Sequence, residues 1–223
     1  MYKNIRAKLA EHYENEKAKF AEKVHTLTAR DVHDFWYYSA SLTPAAARIV
    51  KELEPDEALP EAVKKKMIQK HARKQDGYMM NSLDKLLRAQ ESGTPETVTI
   101  TVEYKRSASW GNYTPHATVE ALTKTRRYES KASASGAGYD KTSAAIAHAC
   151  NANSAVMAIL YAHAESGQTF PYSVHTFAGV PSFDGGCGVN CFYAVFDACG
   201  YTFKQIANGK TFYVFTITKK EAV

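Results

Sequence analysis

The sequence predicts an α+β protein: a helical N-terminal region followed by an antiparallel sheet with packed helices, in the order β-β-β-α-α-β-α-β-β. Three observations carry this. The first ninety residues lack strand alternation and place Ile5, Leu9, Tyr13, Phe20 and Val24 near helical spacing with charge between them. Thr97-Val98-Thr99-Ile100-Thr101-Val102-Glu103-Tyr104 then alternates with period two and is rich in β-branched residues. Near the far end, Asn208-Gly209 sits between two apolar runs, a signal for a two-residue type I′ hairpin.

Within the helical region, Thr28 precedes Ala29-Arg30-Asp31 as a cap, and Thr43-Pro44 reads as a cap with proline at the first helical position. The spacing predicts helices over 45–53 and 61–73. Asn81 or Ser82 is the expected cap of another reaching about Gln90. Ser92-Gly93-Thr94-Pro95 breaks the pattern, which divides the chain into a helical region, 1–92, and an α+β domain, 93–223. In the second part, strands are expected over 97–104, 116–122, 126–133 and 172–177. Helix is expected over 142–164, with a break at Asn151-Ala152-Asn153, and over 189–198, stopped by Gly200. Strands over 203–207 and 211–218 close the fold. Pro181 to Gly188 reads as a glycine-rich loop, either a lid or a long connection.

Composition narrows the function classes. The chain has 223 residues, an apolar fraction of 45% and fourteen tyrosines, which is the make-up of a folded protein. No apolar run is long enough to span a bilayer, and Met1 to Arg6 lacks the apolar core of a signal peptide, so the expectation is a cytoplasmic protein without a membrane partner. Net charge is +5, compatible with a polyanionic partner. The four cysteines, Cys150, Cys187, Cys191 and Cys199, read as thiols; Cys187 and Cys191 are four apart, but no second pair follows at zinc-ribbon spacing. No metal or cofactor is expected. Tyrosine and phenylalanine are abundant enough to cover both a core and an interface, which leaves a homodimer open.

The strongest ligand signal is the turn Ser135-Gly136-Ala137-Gly138-Tyr139-Asp140-Lys141-Thr142-Ser143. Gly136 and Gly138 let the chain turn tightly into a helix, and Lys141 falls in the first turn, where N–H groups point outward and favour phosphate. The plainer reading is a tight strand-to-helix connection. Around it, Lys105, Arg106, Lys124, Arg126, Arg127, Lys131 and Lys141 are opposed only by Glu120, Glu129 and Asp140. On paired strands these cations could line a phosphate path, with Trp110, Tyr113 and Tyr128 available to stack on bases. Alternatively they are the charges that keep an exposed sheet from pairing with another. A second run, Lys64-Lys65-Lys66 with Lys70, Arg73 and Lys74, is the usual signature of a solvated helix face.

Asn112 to Val119, the strand over 126–133 and the Gly136-Ala137-Gly138 turn into a lysine-bearing, alanine-rich helix together resemble part of a double-stranded-RNA-binding domain over about 95–152. That resemblance implies nucleic-acid binding, RNA or DNA, through the backbone. Lys141 is the single lysine standing where that family carries a cluster. The Gly-Tyr-Asp-Lys turn, with a later Gly-Gly-rich turn into a helix, also resembles small uncharacterised proteins of phages and mobile elements. This second resemblance implies a nucleoprotein partner, or a host-defence complex inhibited by protein contact, as an anti-CRISPR protein does.

A third reading is catalytic. Cys191 follows Gly188-Val189-Asn190 at an expected helix start, where thiolate is favoured, and His175 lies on the preceding strand. An Asn-Cys pair opening a helix downstream of a strand histidine is similar to permuted papain-like hydrolases. The plainer reading is a buried thiol, since Phe192-Tyr193-Ala194-Val195-Phe196 marks a buried helix. Asp31, His33 and Asp34 read as a helix start before a metal site. Loops of the Walker type, His-Glu-x-x-His and Gly-x-Ser-x-Gly are absent from the sequence. The favoured expectation is a non-enzymatic binding protein.

Overall fold

The computed structural model describes residues 2–106, 113–135, 139–171, 174–186, 188–209 and 212–221; of Tyr139 and Asp140 only the backbone is described. The architecture is α+β. The chain divides into two compact units, one of Ala7–Leu83 and one of Met1–Arg6 with Asp84–Val223. The division falls inside a helix, upstream of the Ser92–Pro95 break where helix gives way to strand.

The five apolar positions read at helical spacing are buried along α1 (Lys3–Val24), Leu9, Tyr13, Phe20 and Val24 of them in the helical unit. Thr28 caps α2 (Ala29–Asp34) through a reciprocal box: its hydroxyl oxygen accepts from the Asp31 N–H, and Asp31 accepts from the Thr28 N–H at 2.8 Å. That backbone bond holds the Asp31 carboxyl below its ordinary pKa. Asp31 is therefore a capping group, as one of its two sequence readings had it. After α3 (Trp36–Ser39), Thr43 caps α4 (Pro44–Lys51) by accepting from the Ala46 N–H. Phe20, Val24, Val32, Val50, Val63 and Met67 belong to one buried cluster.

The expected pair of helices over 61–73 and 82–90 is instead one continuous helix, α5 (Glu61–Ser92). Nothing between Arg73 and Asn81 can stop it. Gly77 lowers helix propensity by about 1 kcal/mol but leaves the hydrogen-bond ladder intact.

The second unit is built on a five-stranded antiparallel sheet of order β3-β2-β1-β7-β6. Its strands are β1 (Thr97–Arg106), β2 (Tyr113–Leu122), β3 (Arg127–Ser133), β6 (Tyr201–Asn208) and β7 (Phe212–Lys219). Val98, Ile100, Val102, Ala117, Val119, Ala121, Phe215 and Ile217 are buried on one side. On that side α6 (Tyr139–Ala152) packs against β2 and β3, and α8 (Asn190–Ala198) packs against β6. The alternate residues face away from these helices.

The break expected at 151–153 is a sharp corner. The axes of α6 and α7 (Ser154–Glu165) differ by 86°. Asn153, buried at the corner, caps α7 by accepting from the Val156 N–H and donates its amide to the Val119 and Tyr128 carbonyls, each at 3.3 Å. Among the described residues, no single helix is long and apolar enough to cross a membrane.

Two expectations need correction. The Pro181–Gly188 segment is not all loop: it contains most of a further strand, β5 (Val180–Phe183), paired with β4 (Val174–Phe177). Ala178 and Gly179 turn between them, both at positive φ, which suits the twist of a two-stranded hairpin. The Asn151 carboxamide holds β5 by exchanging two hydrogen bonds with the Phe183 backbone, at 2.8 and 3.0 Å. A Cβ on Gly185 would lie 2.5 Å from the Ala144 Cα, so the segment after β5 lies directly on the α6 backbone and is no lid. The other correction concerns the last hairpin. Asn208 pairs with Tyr213 and the Gly209 N–H donates to the Phe212 carbonyl at 2.9 Å, so Asn208-Gly209 belongs to the paired stem and is not the centre of the turn, and the Phe212 ring lies where a Gly209 Cβ would be.

Replacing Asn153 by Ala strips a partner from the Val156 N–H and from the Val119 and Tyr128 carbonyls, and about 2–4 kcal/mol of stability should be lost, read as a lowered urea midpoint. A second expectation concerns pH. His71 is buried in the helical unit and stacked on Phe20 at 3.9 Å; burial, with Lys74 secondary, lowers its pKa. The unfolded chain therefore binds that proton more readily than the folded one. The stability this confers is complete above the unfolded value near 6.5 and is lost as pH falls below it. Amide exchange at Val63 and Met67 should be faster, relative to the intrinsic rate, at pH 5 than at pH 7.5. In His71→Phe this difference should shrink.

Candidate nucleic-acid interface

Strand alternation separates the cations expected to share one surface. β1 residues Thr97, Thr99, Thr101, Glu103 and Lys105 take the side away from α6 and α8, whereas Tyr104 and Arg106 continue the covered side. The register carries this outward. Leu122 pairs with Arg127, Glu120 with Glu129 and Thr118 with Lys131, so Arg127 and Lys131 share the side of Lys105. Lys141 belongs to the first turn of α6, in the layer over the opposite side.

Length separates them as well. β2 is ten residues long, which spans about 33 Å. Arg106 pairs with Tyr113 at its start, and Lys124, Arg126 and Arg127 lie just beyond its end. Neutralisation completes the division. Lys131 meets Glu129 at 2.7 Å, Arg127 meets Glu120, and Lys105 meets Glu103 at 3.6 Å. Glu129 is held below its ordinary pKa by its hydrogen bond from Lys131 and stays charged. Arg126 sits 5.3 Å over the Tyr128 ring. The expected continuous patch from Arg126, Arg127 and Lys131 to Lys141 is therefore not formed. Its premise counted charges along the chain, while a strand sends neighbours to opposite sides. Gly136, Gly138 and Trp110 lie outside the described residues.

What the fold does bring together is a smaller group at one end of the sheet. The Tyr104 hydroxyl and the Thr142 hydroxyl are hydrogen-bonded at 2.5 Å, tying the first turn of α6 to β1. Lys141 precedes Thr142, Arg106 follows Tyr104 on the same side, and half-exposed Tyr113 lies opposite Arg106. Among the described residues neither Arg106 nor Lys141 pairs with a carboxylate. Tyr104 and Thr142 also wall a cavity of about 330 Å³, near the lower end of the size of small-molecule sites, roughly 300–1,000 Å³. Tyr213 and Phe215 line it from β7, Gln205 from β6, and Asn190 and Tyr193 from α8. The sequence reading missed Tyr104, Tyr193 and Tyr213. The alternation of β1 and β7 was visible, but their adjacency is a long-range pairing that local pattern does not encode.

The catalytic candidates do not assemble. His175 is exposed on β4 and meets Asp184 at 2.9 Å. Asp184 also accepts from the Gly186 N–H, which, with His175 second, keeps its carboxyl below the ordinary value. A histidine with an orienting carboxylate is half of a nucleophile-activating set. Cys191, half-buried at the start of α8, makes no hydrogen bond to His175. Burial raises the pKa of Cys150, and that of Cys199 to about 12, which leaves both as thiols. Cys187 lies outside the described residues. No three His, Cys, Asp or Glu side chains among those described come together as a metal site.

The lysine-rich face of α5 is locally partnered at several points. Lys64 meets Glu61 at 2.8 Å, Lys70 donates to the Leu42 carbonyl at 2.6 Å, and Lys74 lies 5.7 Å over the Tyr78 ring. Comparison with family models, curated proteins and solved structures yields no match to this chain.

Proposed function

We propose that this chain is a cytoplasmic, non-enzymatic protein that binds nucleic acid, or a nucleoprotein, through the phosphate backbone at one end of its sheet. The observation that carries the reading is the Tyr104–Thr142 hydrogen bond, which groups Arg106, Lys141 and Tyr113 at that end, where neither cation pairs with a carboxylate among the described residues. Two cations that pair with no carboxylate among the described residues, beside an exposed aromatic ring, offer a phosphate contact and a stacking surface. The order β1, β2, β3 and α6 fits the resemblance over about 95–152 to part of a double-stranded-RNA-binding domain, although here β7 extends the sheet beyond β1.

Fluorescence anisotropy with a labelled oligonucleotide tests this. Affinity should fall steeply with salt. Arg106→Glu with Lys141→Glu should weaken binding by at least about tenfold at low salt and flatten the salt slope. Arg127→Glu with Lys131→Glu, on the carboxylate-bearing side, should change it by less than about twofold. Loss in the second pair and not in the first would overturn the reading.

A second reading, a phage-type inhibitor of a host-defence complex acting by protein contact, rests on a different observation. Phe35, Trp36 and Tyr37 stand adjacent in the helical unit at 57%, 75% and 41% exposure, far more aromatic surface than a helix start requires. If it holds, a purified defence complex should be retained by the immobilised protein after nuclease treatment. Trp36→Ala should reduce that retention about tenfold or more.

A further inference from the structure

The cavity beside Arg106 and Lys141 has a composition that bare phosphate binding does not use. Its walls are aromatic: Tyr104 and Tyr213 meet edge to face at 5.9 Å, Tyr213 and Phe215 lie nearly parallel at 6.4 Å, and Tyr193 is wedged against Phe203 at 4.1 Å. Such walls favour a planar guest, which stacks offset or edge-on. Two carboxamides line the same space, Asn190 at the first residue of α8 and Gln205 on the edge strand β6. A carboxamide offers a donor and an acceptor side by side, the pattern displayed by the edge of a nucleobase. Lys141 adjoins the wall residue Thr142, and Arg106 is the next residue after Tyr104 on the same side of β1, so both cations stand at the end of the sheet where the cavity lies.

We infer that this cavity receives a single unpaired nucleobase of a strand whose phosphates rest on Arg106 and Lys141. The inference rests on the phosphate-binding reading above and adds to it a preference for single strands. A base inside a duplex cannot enter such a cavity without leaving its stack. Tyr193 and Tyr213 supply the stacking walls, and Asn190 and Gln205 meet the base edge.

The decisive measurement compares ligands before it compares variants, so that no substitution needs to fold. Anisotropy is recorded for labelled 12-nucleotide RNA and DNA single strands, for the same strands with every base removed, and for the matching duplexes. The expected result is binding about tenfold tighter for a base-bearing strand than for its abasic counterpart or the duplex. Tyr193→Ala, and separately Asn190→Ala with Gln205→Ala at more exposed positions, should erase most of that difference while leaving abasic binding unchanged. Abasic and base-bearing strands binding equally, with the salt dependence and the Arg106/Lys141 effect retained, would overturn the cavity assignment and leave phosphate binding standing. If no strand binds, both fall. Displacement of the strand by a free nucleoside monophosphate at lower concentration than by unlabelled strand would instead assign the cavity to a mononucleotide and overturn the single-strand assignment.

Discussion

Asn153 fixes the geometry on which the rest of the second unit depends. Two consecutive helices that turn through 86° leave backbone groups without helical partners at the corner, and Asn153, buried there, meets them from inside. One carboxamide resolves this in three directions, accepting from the first turn of α7 and donating to carbonyls on both β2 and β3. The corner is thereby held to the sheet, which sets the line of α6 across β2 and β3. That line decides where the far end of the helix falls, and the Tyr104–Thr142 bond closes it there. The groups at residues 104–106 and 141–142 are positioned by a bond about one helix length away, on the order of 20 Å.

The sheet is two-sided in chemistry as well as in packing. The helix-bearing side carries valine, isoleucine and alanine until β1 outruns its cover, where it ends in Tyr104 and Arg106. The other side carries threonines with acidic and basic residues matched along a strand, Glu103 with Lys105 and Glu129 with Lys131, or diagonally between strands, Glu120 with Arg127. Matched charges on a broad strand surface discourage contact with another sheet, since an approaching copy must break them or bring like charges together. A polyanion would meet Glu103, Glu120 and Glu129 there together with the cations. The plain alternative reading of these lysines and arginines describes that surface better than the phosphate path does.

Legibility followed the range of the interaction. Thr28 and Thr43 were readable as helix starts because a capping bond spans three residues, while at Asn153 only the break was visible and not the cap. The strands over 97–106 and 212–219 were readable because alternation is local. Continuity of α5 was misread because Asn81 and Ser82 are good caps in isolation, yet a helix that has already nucleated extends through them at small cost. β5 was hidden by Pro181, which ordinarily argues against a strand but is tolerated in a two-stranded ribbon, where one edge needs no donor. The site suffered most. Grouping Arg106 with Lys141, and Tyr104 with Tyr213 and Tyr193, requires knowing that β1 lies between β2 and β7, and nothing within a window of ten residues states that.

The placement of β1 in the middle of the sheet has a consequence for synthesis. Its partner β2 follows within a few residues, but β7 is more than a hundred residues later. A nascent chain that has already formed β1, β2 and β3 carries an open, strongly apolar edge at Val98, Ile100 and Val102 until Phe212–Lys219 has left the ribosome. The slow step in maturation is then closure of that long loop, and the vulnerable species is a three-stranded intermediate whose free edge can recruit the same edge of a neighbouring nascent chain.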